Sequence, residues 1–150
     1  MINRFKKIVI KIGSTSIVDS KTKKIKSAWI RSIVQDISSM HPNQKIIIVC
    51  SGAIALGSKL INEKNLCRLE DKQAAAAVGQ IELVKSWEKV LKKKKIKIAQ
   101  ILLTLNDSEI RRRYLNVRKT INALLKKNIV PIINENDTVA TEEIRFGDND

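Results

Sequence analysis

Glycine is scarce in this 150-residue chain, with five in all; proline and cysteine stand at two each, histidine at one, and aromatic residues at 3%. So few glycines form neither GxxxxGKS/T nor GxGxxG, which excludes a P-loop and a dinucleotide fingerprint. The cysteines, Cys50 and Cys67, have neither a partner motif nor a metal spacing, so free thiols in a cytoplasmic protein are expected. His41 precedes Pro42 in an expected turn, where a satisfied surface histidine fits better than a catalytic base. With no His/Cys/Asp/Glu set at ligand spacing, no protein-bound metal is expected. Apolar runs fall well short of the roughly 20 residues of a membrane span, and MINRFKKIVI lacks a signal-peptide layout. No membrane partner is expected.

Acidic residues are also under-represented, 15 against 29 lysines and arginines, for a net charge of +14. Such a balance pulls toward nucleic acid. The lysines are scattered, however, in KTKKIK at 21–26 and KKKKIK at 92–97, and isoleucine is equally over-used. That pattern reads as codon bias rather than a built patch. With aromatics so few, stacking platforms for single strands are missing, and no nucleic-acid partner is expected.

A hydrophobic content of 43% with 29% charged residues is ordinary for a globular chain, and 150 residues suffice for one domain with a real core. Strand-like runs occupy 7–12, 45–50, 96–103 and 129–133. Helix-like stretches lie between them. Residues 27–40 place Ile30, Ile33, Val34 and Ile37 on one face, with Ser27 as N-cap. Residues 71–94 are Ala-rich, with Val78, Ile81, Val84 and Leu91 spaced for burial. Residues 107–127 align Ile110, Tyr114, Val117, Ile121 and Leu124 or Leu125, with Asp107 as cap. Strands alternating with helices predict an α/β fold, a layered sandwich on four parallel strands. Pro131 is a mild objection, tolerable near the start of its strand.

The chemistry is expected past the strand ends, where open α/β sheets bind ligands. Gly13 follows the first strand, Gly52 and Gly57 the second, and Gly147 opens GDND. Glycines there let the backbone approach an anion. Gly79, inside a helix, suits close packing instead. Lys11 breaks an apolar strand just before the Gly13–Ser14 turn, which suits a transferring phosphoryl group. A strand-end lysine reaching solvent is an equal reading of KIG alone. Ser51 and Gly52 precede a short helix near Ala53, either as an anion site or as an N-cap. The run 129–133 empties into Asn134, Glu135, Asn136 and Asp137, and a second cluster follows in Asp148, Asn149 and Asp150. These would grip an ammonium group or orient a lysine.

Taken together, KIGST at 11–15, CSGAIALG at 50–57, KQAAAAVGQ at 72–80, NENDTVAT at 134–141 and FGDND at 146–150 closely resemble the glutamate 5-kinases of the amino-acid kinase family. The five strings are collinear and span nearly the whole chain. The resemblance implies a three-layer sandwich with a mainly parallel sheet, and phosphorylation of the γ-carboxylate of L-glutamate by ATP with Mg²⁺. The product would be L-glutamyl 5-phosphate, the first step to proline. It assigns Lys11 to phosphate contact and catalysis, with Gly13 and Ser14 in the adjoining ATP phosphate loop. Ser51, Asp137 and Asn149 match glutamate-binding positions, Asp150 the aspartate that orients catalytic lysines, and Asp148 a supporting member. It further implies homo-oligomers in the full-length family and proline as a feedback inhibitor. Cys50 departs from the threonine usual before SGA. In the family, the nucleotide site and a second catalytic lysine lie downstream of GDND, so residues 1–150 are expected to be the substrate-binding half. Two readings stay open: the kinase, or an inactive remnant that at most binds glutamate.

Overall fold

The computed structural model describes residues 4–63 and 66–140. In order, the elements are β1 (Lys7–Ile12), α1 (Ser14–Ile17), α2 (Ser27–Met40), β2 (Lys45–Cys50), α3 (Ala53–Leu60), α4 (Leu69–Lys93), β3 (Lys97–Leu103), α5 (Leu105–Glu109), α6 (Arg111–Lys126) and β4 (Ile129–Glu135). The strands form one four-stranded sheet in the order β1-β2-β4-β3. Every pairing in it is parallel, as the alternation of strands and helices requires.

Successive side chains on a strand face opposite ways, so each strand feeds two layers. On one face Ile8, Ile10 and Ile12, Ile46 and Ile48, and Val130 and Ile132 meet Ile30, Val34 and Ile37 of α2 and Leu83, Trp87 and Leu91 of α4. On the other face α6 packs over β4, with Leu125 its only fully buried residue. The fold is therefore a three-layer sandwich with unequal layers. Each fully buried Ile, Leu or Trp adds roughly 1.5–3 kcal/mol or more, so the α2–α4 layer carries most of the stability. Ile110 and Tyr114 of the expected α6 stripe are about half exposed.

Several boundaries differ from expectation. The helix expected over 107–127 is two helices, broken at Ile110, whose backbone is extended. Asp107 is not the cap of the long helix. It is the third residue of α5, and its Oδ2 accepts the N–H and O–H of the N-cap Thr104, both at 2.8 Å. Lys26 rather than Ser27 holds the N-cap position of α2. β4 runs on through Asn134 and Glu135, and it lies inside the sheet with Pro131 buried in it. The β3–β4 ladder passes through Ala99↔Pro131 unbroken. The β2–β4 ladder starts only at Ile48↔Ile132, so the missing proline donor falls where no ladder is needed.

The α4 stripe also differs. Val78 and Ile81 are exposed at 39% and 57%, while Ala75, Ala76, Gly79, Gln80 and Leu83 are buried. The cause is α3, whose backbone lies directly on α4. A Cβ built at Gly79 would sit 1.9 Å from the Ala53 carbonyl oxygen, and one at Gly57 1.7 Å from that of Ala75. Gly57 is thus a helix-packing glycine, not a loop glycine at the strand ends.

Two predictions follow from these contacts. Gly79→Ala forces backbone against backbone and should cost about 3 kcal/mol or more, the upper range of overpacking, read as the loss of urea midpoint. Asp107→Ala should cost about 1 kcal/mol near pH 7 through the lost cap. The Thr104 N–H and O–H, with Arg113 Nη1 at 3.6 Å, hold the Asp107 carboxyl below its usual 3.8. A depressed carboxyl stabilises the fold above its unfolded value and stops doing so as pH falls through the folded one. Urea titrations at descending pH should therefore show wild type and variant converging below about pH 3.8.

Candidate active site at the strand-end rim

Because β1, β2 and β4 are consecutive in the sheet, the loops leaving their C-terminal ends lie side by side. The register aligns Lys11 with Val49 and Val49 with Ile133, so Lys11 shares a row and a face with the end of β4. Two strand spacings separate them, about 10 Å. Lys11 is exposed at this rim, on the face that α6 covers only in part.

The first loop is short and stiff. Gly13 is followed at once by the single turn of α1, closed by Ser16 N–H to Gly13 O and Val18 N–H to Ser14 O. Lys26 Nζ donates to the Thr15 carbonyl at 2.8 Å and pins the turn from outside. No atom lies within 4 Å of a Cβ built at Gly13, so the space beside it is open to a ligand.

The second loop packs on the first. Ser51 N–H donates to the Ile12 carbonyl at 3.2 Å. Gly52 has φ of 111°, and a Cβ there would meet Val18 at 3.1 Å and the Ser14 Cα at 3.6 Å. Glycine is required at that point by both conformation and space. Gly52 is the N-cap of α3, and no side chain caps that helix. Ser51 is therefore not an N-cap. Its Oγ is buried with no hydrogen-bond partner among the described residues. Cys50, just before it, is buried, and burial pushes its thiol up to about 12.

The third loop is held from two sides. Asn136 N–H donates to the Leu103 carbonyl at 2.7 Å, and Val139 and Ala140 N–H groups return to the Asn136 carbonyl. Thr138 Oγ1 donates to Asn136 Oδ1 at 2.6 Å. From α4, Gln73 Nε2 donates to the Ala140 carbonyl, and Gln80 Oε1 accepts from Asn134 Nδ2. Asp137 is half-buried in this loop and lines a cavity of about 210 Å³ with Gln80, Gln100, Glu135 and Asn136.

The structure thus brings Lys11, Gly13, Ser14, Ser51 and Asp137 to one rim. Asp148, Asn149 and Asp150 lie outside the described residues, as does Gly147. Asn134 and Glu135, part of the polar cluster expected after 129–133, lie on the rim as well. Gln80 joins it without having been singled out from the sequence; the one signal that could have found it is an amide on the same helical face as Ala76 and Leu83. His41 serves structure, its Nε2 donating to the Asn128 carbonyl at 3.2 Å.

A parallel four-stranded sheet flanked by helices, with loops gathered at its strand ends, defines a fold class, and comparison with known proteins agrees. The amino acid kinase family matches residues 6–150, and the chain belongs to that family. It is 51% identical over 151 residues to the glutamate 5-kinase of Nitrobacter hamburgensis, covering 99% of this chain and 40% of that protein. It is 53% identical over 148 residues to the glutamate 5-kinase of Bartonella henselae, covering 97% of this chain and 39% of that one. The chain spans about two fifths of the length of these relatives. Among solved structures, isopentenyl phosphate kinase of T. acidophilum aligns with a TM-score of 0.57 at 14% identity, over 83% of this chain and 53% of that one. UMP kinase of Bacillus anthracis aligns at 0.56 and 18% identity, over 86% and 52%. Those two alignments establish the shared fold.

The burial of Cys50 yields a direct test. At pH 8, iodoacetamide should modify the exposed Cys67 and leave Cys50 unmodified until denaturant is added, as read by peptide mass spectrometry.

Proposed function

We propose that this chain is the substrate-binding half of a glutamate 5-kinase, and that the rim holds L-glutamate with its γ-carboxylate toward the phosphoryl group of ATP. The observation that carries the reading is the Ser51 hydroxyl, buried and without a partner among the described residues, where the Lys11–Gly13–Ser14 turn meets the second loop. Identities near 50% to glutamate 5-kinases across almost the whole chain support glutamate as the acceptor.

The chemistry asks little of the protein beyond placement. A glutamate carboxyl titrates near 4.3, so at neutral pH it is already an anionic nucleophile and needs no general base. Lys11 supplies a point charge to the transferring phosphoryl group, with Gly13 and Ser14 beside its oxygens. Ser51 donates to the substrate, and Asp137 accepts from its ammonium group. Asn149 and Asp150 complete the assignment, Asn149 on glutamate and Asp150 in orienting lysines. Among the described residues no three His, Cys, Asp or Glu side chains converge as a metal cage. Mg²⁺ would enter on the ATP phosphates and offset their charge. The product, L-glutamyl 5-phosphate, opens proline synthesis in the cytoplasm, with proline as a feedback inhibitor and a homo-oligomer as the assembled form. ATP binding is assigned mainly to a nucleotide-binding half beyond residue 150.

The test combines turnover with binding. With ATP, Mg²⁺, glutamate and hydroxylamine, a hydroxamate that Lys11→Ala abolishes would identify a chain that transfers by itself, with an active glutamate 5-kinase run alongside. Calorimetric affinity for glutamate should fall at least about tenfold in Asp137→Ala, the loss expected for a charged hydrogen bond. Glutamate binding without hydroxamate would identify a chain that holds the acceptor but does not transfer. Neither signal from a folded chain rejects the proposal.

A further inference from the structure

The cavity between α4, β3 and the 134–138 loop is lined by Gln80 and Glu135, which carry two buried polar atoms of opposite kind with no partner among the described residues: Nε2 of Gln80, a donor, and Oε1 of Glu135, an acceptor. Gln80 is only 8% exposed, deep enough that a wasted amide donor is costly. Its orientation is set from behind, because Asn134 Nδ2 donates to its Oε1 at 2.5 Å and leaves Nε2 turned away from Asn134. A ligand that brings both a hydrogen-bond acceptor and a donor satisfies both atoms at once. An amino acid carries that pair on its α-carbon, and a cavity of about 210 Å³ has room for it.

We propose that Gln80 is a specificity residue of the acceptor site, its Nε2 donating to the α-carboxylate of the amino-acid substrate while Glu135 accepts from the α-ammonium group. The assignment of ends follows from position. Lys11 stands two strands from β4, about 10 Å away, so the reacting side-chain carboxylate extends toward β1 and the α-carbon end stays at the cavity. This inference rests on the rim being the glutamate site, and it adds the group that distinguishes an α-amino acid from a simple amine or acid. Gln80 also acts through Asn134, so α4 and the end of β4 read the substrate as one unit.

The experiment compares two ligands by calorimetry on the 150-residue chain. L-Glutamate carries the α-carboxylate; 4-aminobutyrate keeps the ammonium and the distal carboxylate but lacks it. Wild type should prefer glutamate by about 10- to 100-fold, the range of a hydrogen bond to a charged group. Gln80→Glu preserves an oxygen for Asn134 and replaces only the outward donor with a like charge. It should lower glutamate affinity at least about tenfold and leave 4-aminobutyrate affinity undiminished, since the added carboxylate repels only the α-carboxylate. Gln80→Met, of similar volume, should give the same pattern and serves if the glutamate variant does not fold. Unchanged glutamate affinity in a folded variant, or equal loss for both ligands, overturns the role of Gln80. A folded wild type that binds neither ligand overturns the glutamate reading of the rim, and this inference with it.

Discussion

The near-contact of two helix backbones places most of the rim. α3 begins two residues after Ser51 and α4 carries Gln73 and Gln80, so the distance between these helices sets the distance between the second loop and the third. That distance is as short as helices allow, because Gly57 faces Ala75 and Gly79 faces Ala53 with no room for even one added methyl group. Protein interiors transmit displacement because they are close-packed. Any widening at Gly79 would carry Gln80, one residue on, away from Asn134. A helix-packing detail and a ligand-binding detail are therefore the same geometric constraint.

This explains why the architecture was legible and part of the site was not. Strands announce themselves as β-branched runs, and 7–12 and 45–50 coincide with β1 and β2. Lys11, Gly13 and Ser51 could be nominated from the strand-end loops, with solvent contact or N-capping as the competing readings, and the structure brings all three to one rim. Gln80 could not, because its significance depends on Asn134, 54 residues away. The same long-range effect misled the reading of α4. Hydrophobicity nominated Val78 and Ile81 for burial, but a surface that must accept another backbone selects alanine and glycine instead. Gly57 was placed at the strand ends for want of the same information. The break at Ile110 depends on a cap formed by Thr104 and Asp107, two residues that periodicity does not weigh.

The two faces of the sheet divide the labour. The α2–α4 face holds nearly all fully buried side chains and fixes the strand ends in place. The α6 face is lightly covered, and Val9 is 61% exposed on β1. Lys11 belongs to that open face. On the proposed reading, a lysine that meets a polyphosphate needs such access, whereas the amide pair on the packed face needs rigidity. Charge and orientation thus come from opposite sides of one sheet, meeting at its edge.

The strand order has a consequence for how the molecule is made. β4 is inserted between β2 and β3, although β3 precedes it in the chain. On a ribosome, β1 and β2 can pair as soon as both have emerged, but β3 has no neighbour until residues 129–135 are synthesised. Until then the growing chain carries an apolar strand with both edges open, a period in which association with other chains competes with folding. Arrival of β4 joins the two parts in one step, and the same step seats Asn134 against Gln80. Completion of the sheet and completion of the described binding rim are one event in the life of the chain.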